Sequence, residues 1–555
     1  MFVLPDSGTA RLWELLREVP EEARFAALFL NAVMERMKKW ECADYHRWLA
    51  ECLNGGVAVR EDRRDWVREK AAREGIAAPS RASAWTKIFD DAERRASEWA
   101  RAGVRVARWV DGPPLLTGDC SPRVLFLMGN MPLHRPWVAI FNSRKPRIAS
   151  PDVRWLKVLR GVLGHISSRP ENREIGFASS RGTMTYDLVS AHARFSHAPL
   201  LEILPSPVEE MIASAQGDSI EAPNAHSLLL TCRTKATACS RRQAMVCRDG
   251  LLARVADLHV IIELRRGGNL LNALEEEHRL RPRAKWIFLS SGERAEAEGN
   301  SRLVEAFPES STSFSEADIP AIHPPDKTRP PSSVKAGHPE TSRQPSLKSS
   351  EGGSPAWSAF LYHYTRACPG PWPGENRDDY MRSLLEDNPH SGHTALDALV
   401  RITTEGKIRA SARVIRGSIP VVSWTSRSPL ELGAIRRWNR ALIRWTFEPY
   451  GIAVRRARLL RCGAKPVIYA PEEYFGKIKP SERCRLHPEG PSRRSWKVEK
   501  EWRLAGDFDL RGLAPGDGFL FAPTSEDAER LEREVRGHAD CMLPVLALSS
   551  LLPDA

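Results

Sequence analysis

Residues Cys247 to Leu274 read CRDGLLARVADLHVIIELRRGGNLLNAL. Within them Leu258 to Glu263 is apolar nearly throughout and ends on an acid, and the small-residue turn Gly267-Gly268 leads into a helical stretch. A short run of unbroken hydrophobicity bounded by turn residues predicts a strand buried on both faces. Working outward, the same rhythm recurs at Val124 to Met128, Trp137 to Phe141, Glu174 to Ala178, Leu200 to Leu204, Ser227 to Leu230 and Lys285 to Leu289, with helical stretches between. Strands alternating with helices in this way predict an α/β fold over residues 103–307. It is a Rossmann-like, doubly wound, mostly parallel sheet with helices on both faces.

On either side the pattern changes. Residues 1–102 predict an N-terminal helical domain: Leu12, Leu15, Leu16 and Val19 recur at helical spacing, and Phe25, Leu28, Phe29, Ala32 and Val33 repeat the stripe after Pro20. Residues 308–355 are rich in Pro, Ser, Lys, Thr, Gly and His and carry too few apolar side chains to offset the entropy of ordering, so a flexible, disordered linker is expected. From residue 356 to 555 globular composition returns with short strand-like runs and a last helix from Ser525 to Val535, which predicts a C-terminal α+β domain.

A chain of 555 residues exceeds what one core usually organises. Its net charge of +12 is spread along the length, which permits an anionic partner such as nucleic acid. The ten cysteines fall at irregular spacings with no CxxC pair, so neither a zinc site nor a disulfide framework is expected, and no metal. No run approaches the roughly 18 apolar residues of a membrane span, and Met1 to Ala10 lacks the layout of a signal peptide. The expectation is a cytoplasmic protein with no membrane partner.

Four blocks in the middle third occur in the order found in the DNA-processing protein A (DprA) family. They are AERRASEWARAGVRVARWVDGPPLLTGDCSPRVLFLMGN (Ala92 to Asn130), VAIFNSRKP (Val138 to Pro146), SRGTMTYDLVSAHA (Ser180 to Ala193) and the Cys247 to Leu274 stretch. The chain resembles that family over roughly 180 residues. The resemblance implies a pocket at the carboxyl ends of the strands, lined by Ser143, Arg144, Ser180, Arg248, Gly267 and Gly268 and taking a nucleotide or single-stranded DNA. Departures fall on the glycines: Asn142 and Arg181 stand where the family carries Gly, and Arg248-Asp249-Gly250 replaces Arg-Asn-Arg. Each added Cβ opposes close approach of backbone to a phosphate. A filled, purely structural remnant and a sensor pocket are both open readings.

The C-terminal part carries three further motifs in order: Tyr362-His363-Tyr364-Thr365, Val421-Val422-Ser423-Trp424-Thr425-Ser426, and Val498-Glu499-Lys500-Glu501-Trp502-Arg503. On a strand Glu499 and Glu501 would point to one side, because the period is two. Loosening of a nicotinamide–ribose bond builds positive charge on the sugar, which a nearby carboxylate stabilises. A His and hydroxyls on neighbouring strands can fix the ribose and amide, and Tyr364 offers a face for nicotinamide. The order of motifs is similar to that of ADP-ribosyltransferases. The resemblance implies NAD as substrate, held by His363, Tyr364, Thr365, Ser423, Thr425 and Ser426, with Glu501 and Glu499 catalytic. The Ser-Trp-Thr-Ser strand departs from a contiguous Ser-Thr-Ser. This reading also requires the His363 imidazole and the Glu501 carboxylate to meet in one groove.

Joined, these parts resemble bacterial antiphage defence proteins, in which a nucleotide or single-stranded nucleic-acid sensor controls a toxic NAD-consuming effector. The acceptor would be protein, nucleic acid or water, and a homo-oligomer is compatible. The main alternative is a non-enzymatic, DprA-like single-stranded DNA-binding recombination mediator with a C-terminal interaction domain. A nuclease using Glu499, Glu501 and Asp507 as metal ligands is a third reading.

Overall fold

The structure is a computed structural model. It describes residues 16–18, 21–37, 47–49, 51–52, 60–74, 82–109, 124–129, 131, 135–143, 145, 153–168, 174–216, 226–235, 240–289, 298–315, 318, 357–386, 391–412, 415, 418–439, 444–488, 496–536 and 543–550. The described residues fall into two compact units, the first reaching residue 318 and the second beginning at residue 357.

The first unit runs β1 (Leu16–Glu18), α1 (Glu21–Met37), α2 (Arg60–Arg73), α3 (Ala82–Arg101), β2 (Val104–Trp109), β3 (Val124–Met128), β4 (Trp137–Asn142), α4 (Arg154–Ser167), β5 (Gly176–Ser180), α5 (Met184–Phe195), β6 (Leu200–Ile203), α6 (Val208–Gln216), β7 (Ser227–Thr231), α7 (Arg241–Val255), β8 (Leu258–Glu263), α8 (Asn269–Leu280), β9 (Ala284–Phe288), α9 (Glu298–Ala306) and β10 (Ser311–Phe314). Its strands form one sheet in the order β1-β2-β3-β7-β6-β5-β4-β8-β9-β10. From β7 to β10 all neighbours are parallel, and β3, β2 and β1 extend the sheet antiparallel. The apolar runs form the expected strands because every residue of β3, β4, β5, β6, β7 and β8 is buried, as a sheet covered on both faces demands. The chain moves from β4 outward through β5, β6 and β7, then returns to lay β8 on the other side of β4. The topological switch point therefore lies between the carboxyl ends of β4 and β8.

Three expectations are corrected here. The N-terminal helices do not form a domain with its own core. Ala26, Phe29 and Val33 of α1 and Phe89 of α3 share one cluster with Val104, Val106, Val124 and Phe126 of the sheet and Met211 of α6. Leu16–Glu18, read as helix from its apolar spacing, is instead a strand on β2, where it satisfies backbone groups that an open edge would leave unpaired. The leucines Leu12 and Leu15 lie outside the described residues. The linker begins later than residue 308, because β10 adds a parallel edge strand to β9 and Phe314 stacks on Phe288 at 5.3 Å. The remainder of the expected linker, from residue 319, lies outside the described residues.

The second unit runs β11 (Phe360–Tyr364), α10 (Arg377–Leu385), α11 (Ala395–Glu405), β12 (Lys407–Ile408), β13 (Val421–Thr425), α12 (Leu432–Ile435), β14 (Trp438–Asn439), β15 (Arg444–Trp445), β16 (Gly451–Arg455), α13 (Arg456–Arg461), β17 (Lys465–Pro466), β18 (Ile468–Ala470), β19 (Leu486–Pro488), β20 (Glu501–Ala505), β21 (Phe508–Asp509), β22 (Gly518–Ala522), α14 (Ser525–Arg536) and β23 (Val545–Ala547). Its main sheet has the order β17-β20-β13-β11-β16-β22-β23. One face buries Leu361, Val422, Trp424, Ile452, Leu504 and Leu520 against Leu399 of α11 and Leu531 of α14. The other buries Phe360, Tyr362, Tyr364, Ala453, Phe519 and Phe521. The stretch Pro369 to His393 contains α10 and a Trp372–His393 stack at 4.2 Å.

Candidate functional site

In the first unit the loops after β4 and β8 are stitched together. Ser143 N donates to Glu263 O (2.7 Å), and Arg265 N donates to Ser143 Oγ (2.9 Å). Glu263, buried at the strand end, is paired by Lys145 and by Arg154 Nη1 (3.2 Å). Gly267 takes φ 70°, a conformation that a side chain opposes, and Gly268 caps the start of α8 without a side-chain bond. The first N–H groups of α8 follow this turn without a side-chain cap, while Lys145 and Arg154 are both paired with the buried Glu263. Asn142 Nδ2 donates to Thr185 Oγ1 (3.2 Å), while its buried Oδ1 has no partner. Of the residues expected to line this crevice, Ser143, Gly267 and Gly268 do. Arg144 lies outside the described residues.

Ser180 and Arg248 do something else. Ser180 Oγ donates to Ile203 O (2.6 Å) inside the sheet. Arg248 is buried, bonds Asp249 Oδ1 through Nε (3.0 Å) and Nη2 (2.7 Å), donates to Arg181 O (3.0 Å), and lies 5.0 Å over the Tyr186 ring. Tyr186 OH completes the lattice on Asp249 at 3.1 Å. Arg181 reaches the buried carboxylate of Glu202 (2.8 Å). These substitutions convert the expected pocket wall into a cross-linked loop, so Arg248 is spent internally. His192 likewise is structural: it bonds Ser167 Oγ at 2.8 Å, and burial pulls its imidazole down to about 4.

In the second unit β13 pairs β20 with Thr425 opposite Glu501 and Ser423 opposite Arg503. Side chains directly opposite on antiparallel strands share a face, and Ser423 Oγ donates to Glu501 Oε1 at 2.8 Å. Arg503 clamps the same carboxylate, Nε to Oε1 at 2.9 Å and Nη2 to Oε2 at 3.1 Å, while its Nη1 donates to Cys484 O (2.6 Å). Glu499 ends a short 3-10 turn, Trp496–Glu499, not a strand, and Lys500 between the acids has φ 45°. The two acids are therefore brought together by a left-handed kink and not by strand alternation. Burial, and then the Glu501 charge, push Glu499 up to about 7, against Arg366, Arg437 and Arg503.

The other side chains expected to hold NAD are placed differently. β11 pairs with β13 at Tyr362↔Thr425. By alternation His363 lies on the Trp424 face, its ring 5.6 Å from Trp424, and Glu501 lies on the opposite face. The single groove shared by His363 and Glu501 is thus corrected. They meet only through Ser423, whose carbonyl takes His363 Nδ1 at 2.9 Å while its hydroxyl serves Glu501. Tyr364 is buried between Phe447 and Phe521 and donates to Arg427 O, so its face is not free for nicotinamide. Thr365 donates to Ala395 O (2.7 Å), Thr425 to Glu499 O, and Ser426 N to Lys500 O (3.3 Å). Asp507 holds Ala410 N (2.8 Å) and Lys407 (3.4 Å). Sequence reasoning missed Tyr469, whose OH lies 3.4 Å from Glu501 N, because nothing in its neighbourhood of the chain points to β20.

The fold and site define a class: a doubly wound α/β unit whose switch point carries Glu263 paired by Lys145 and Arg154, followed by a mostly antiparallel α+β unit that holds Glu499 and Glu501. No family model matches the chain, and no curated protein matches it. Solved structures similar to it include two of DNA processing protein A. One is DNA processing protein A (DprA) from Streptococcus pneumoniae, at 14% identity and TM-score 0.35, covering 52% of this chain and 97% of that one. The other is DNA processing protein A from Helicobacter pylori, described for its single-stranded DNA binding mode, at 13% identity and TM-score 0.28, covering 38% of this chain and 94% of that one. Among the described residues no helix is long and apolar enough to cross a membrane.

Proposed function

We propose that the second unit breaks the nicotinamide–ribose bond of NAD and transfers ADP-ribose, and that the first unit binds a nucleotide or nucleic-acid phosphate at its switch-point crevice and controls that transfer, as an antiphage effector would. The observation that carries this reading is the acid pair. Glu501 is held between the Ser423 hydroxyl and a bidentate Arg503, a positioned side chain against which an oxocarbenium-like ribose would be stabilised. Glu499 beside it holds its proton to about 7, where a group that takes a proton from an acceptor works best. Glu501, held by Arg503 and Ser423, would serve as charge stabiliser and Glu499 as base. His363 serves by holding the Ser423 carbonyl and does not face the reacting atoms. Release of nicotinamide from NAD by the purified chain, lost in Glu501→Gln, tests the assignment.

The non-enzymatic reading draws on a different observation, the Lys145 and Arg154 cations beside the open start of α8. A single-stranded DNA-binding mediator would show steeply salt-dependent binding with no nicotinamide release.

A further inference from the structure

Next to the acid pair lie three rings, of which Trp496 is exposed and Tyr469 and His487 are half-buried. Tyr469, His487 and Trp496 form a row: Tyr469 to His487 is 5.8 Å between ring centroids and His487 to Trp496 is 5.6 Å, tilted by about 40° in each case (40° and 39°). Three segments distant in sequence, β18, β19 and the turn before Glu499, supply one ring each, and Tyr469 OH ties the row together by donating to Trp496 O at 3.2 Å. The same hydroxyl accepts from Glu501 N at 3.4 Å, so one end of the row is anchored to the backbone of the strand that carries Glu501. Trp496 is 42% exposed although the unit has cores on both faces of its sheet in which to bury it. Lys497 and Lys500 project into solvent on either side of Glu499.

A second pair of rings, Trp438 and Trp445 at 5.5 Å, carries Arg436 over Trp445 at 4.3 Å. Its neighbour Arg437 is exposed and close enough to act on the Glu499 charge. Trp438 is 49% exposed. Rings with open faces interleaved with Lys and Arg suit a chain that alternates flat bases with phosphates. A folded protein acceptor would instead meet a shaped apolar patch with few charges at its centre.

We propose that the acceptor of the Glu501 site is single-stranded nucleic acid, whose bases stack on the Tyr469, His487 and Trp496 row while Lys497, Lys500 and Arg437 hold its phosphates. This rests on the transferase reading of the same site. In the transfer, an amino or ring nitrogen of a base bonds to C1′ of the ribose. The bond from C1′ to the nicotinamide nitrogen breaks, and nicotinamide leaves with the electron pair as a neutral molecule. The proton lost from the attacking nitrogen passes to the Glu499 carboxylate and then to water. No oxidant or further reactant is needed.

The test uses the full chain, a single-stranded oligonucleotide carrying photoreactive 5-iodouracil, and NAD labelled in its adenylate phosphate. The expected result is crosslinking to the peptides that contain Tyr469, His487 or Trp496. Trp496→Ala should raise the oligonucleotide concentration needed for label transfer by roughly 5- to 150-fold, the range of one lost base stack. The double substitution Lys497→Gln and Lys500→Gln, both at exposed positions, should lower the salt dependence of oligonucleotide binding and guards against a folding defect in the tryptophan variant. Crosslinks confined to the first unit, or a Trp496→Ala chain that uses the oligonucleotide as the wild type does, would overturn the proposal. Crosslinks at the row without any nicotinamide release would leave the surface standing and remove the transferase reading instead.

Discussion

Glu499 and Arg248 show how far a single side chain can be read from its neighbours. Glu499 titrates near 7 in the folded chain against 4.5 for an ordinary glutamate, so between those values the native state holds a proton that the unfolded state has released. Stability therefore falls as pH rises through that window. Glu499→Gln should abolish the fall, on the order of 1–3 kcal/mol between pH 5 and pH 8 by chemical denaturation. It should also flatten the rise of acceptor transfer with pH, which a change in folding alone would not do. Arg248→Ala, by contrast, leaves Asp249 buried without its guanidinium and should cost about 3–5 kcal/mol. The double variant with Asp249→Ala should recover a good part of that loss in the same denaturation measurement. At this scale the alternation that placed both acids on one side of a strand failed, because Glu499 ends a 3-10 turn and the Lys500 kink follows it, and nothing about a lysine announces a positive φ. The spending of Tyr364, Thr365 and Thr425 on internal bonds was equally hidden, because their partners Arg427, Ala395 and Glu499 lie far along the chain.

Elements were legible where burial made them uniform. The parallel strands β4 through β8 stood out because both of their faces are covered, so their composition could not be mixed. The edges did not. β10 reads Ser-Thr-Ser-Phe, polar enough to pass for linker, and is held by pairing with β9 and by Phe314 on Phe288 and Trp286. Phe314→Ala should accordingly loosen this edge, seen as faster amide exchange in β9 and β10 with the central strands unaffected. Helix starts carry clearer local chemistry. Thr394 and Asp397 form a reciprocal cap on α11, and Thr394→Ala should lower the stability of the second unit by about 0.5–2 kcal/mol in thermal or denaturant unfolding.

For the molecule as a whole, the two units carry two chemistries: Glu263 paired by Lys145 and Arg154 at a switch point and a carboxylate pair beside a basic, aromatic surface. The division between them was read from the change of composition at residue 308, a few residues too early because Ser311–Phe314 still belongs to the first unit's sheet. The N-terminal helices were misjudged as independent because an amphipathic stripe says that a face is buried but not against what. If the first unit controls the second, single-stranded DNA should raise NAD consumption by the intact chain, and Lys145→Ala should blunt that rise by weakening the crevice while leaving basal consumption alone. The most direct measurement of the central claim is the rate of nicotinamide release from labelled NAD by wild type, Glu501→Gln and the surface control Glu534→Gln. The account predicts release by wild type and control alike and a fall of about 10²-fold or more in Glu501→Gln, as loss of a group that stabilises transition-state charge entails. No release by the wild type with or without single-stranded DNA, or equal release by all three chains, would contradict it.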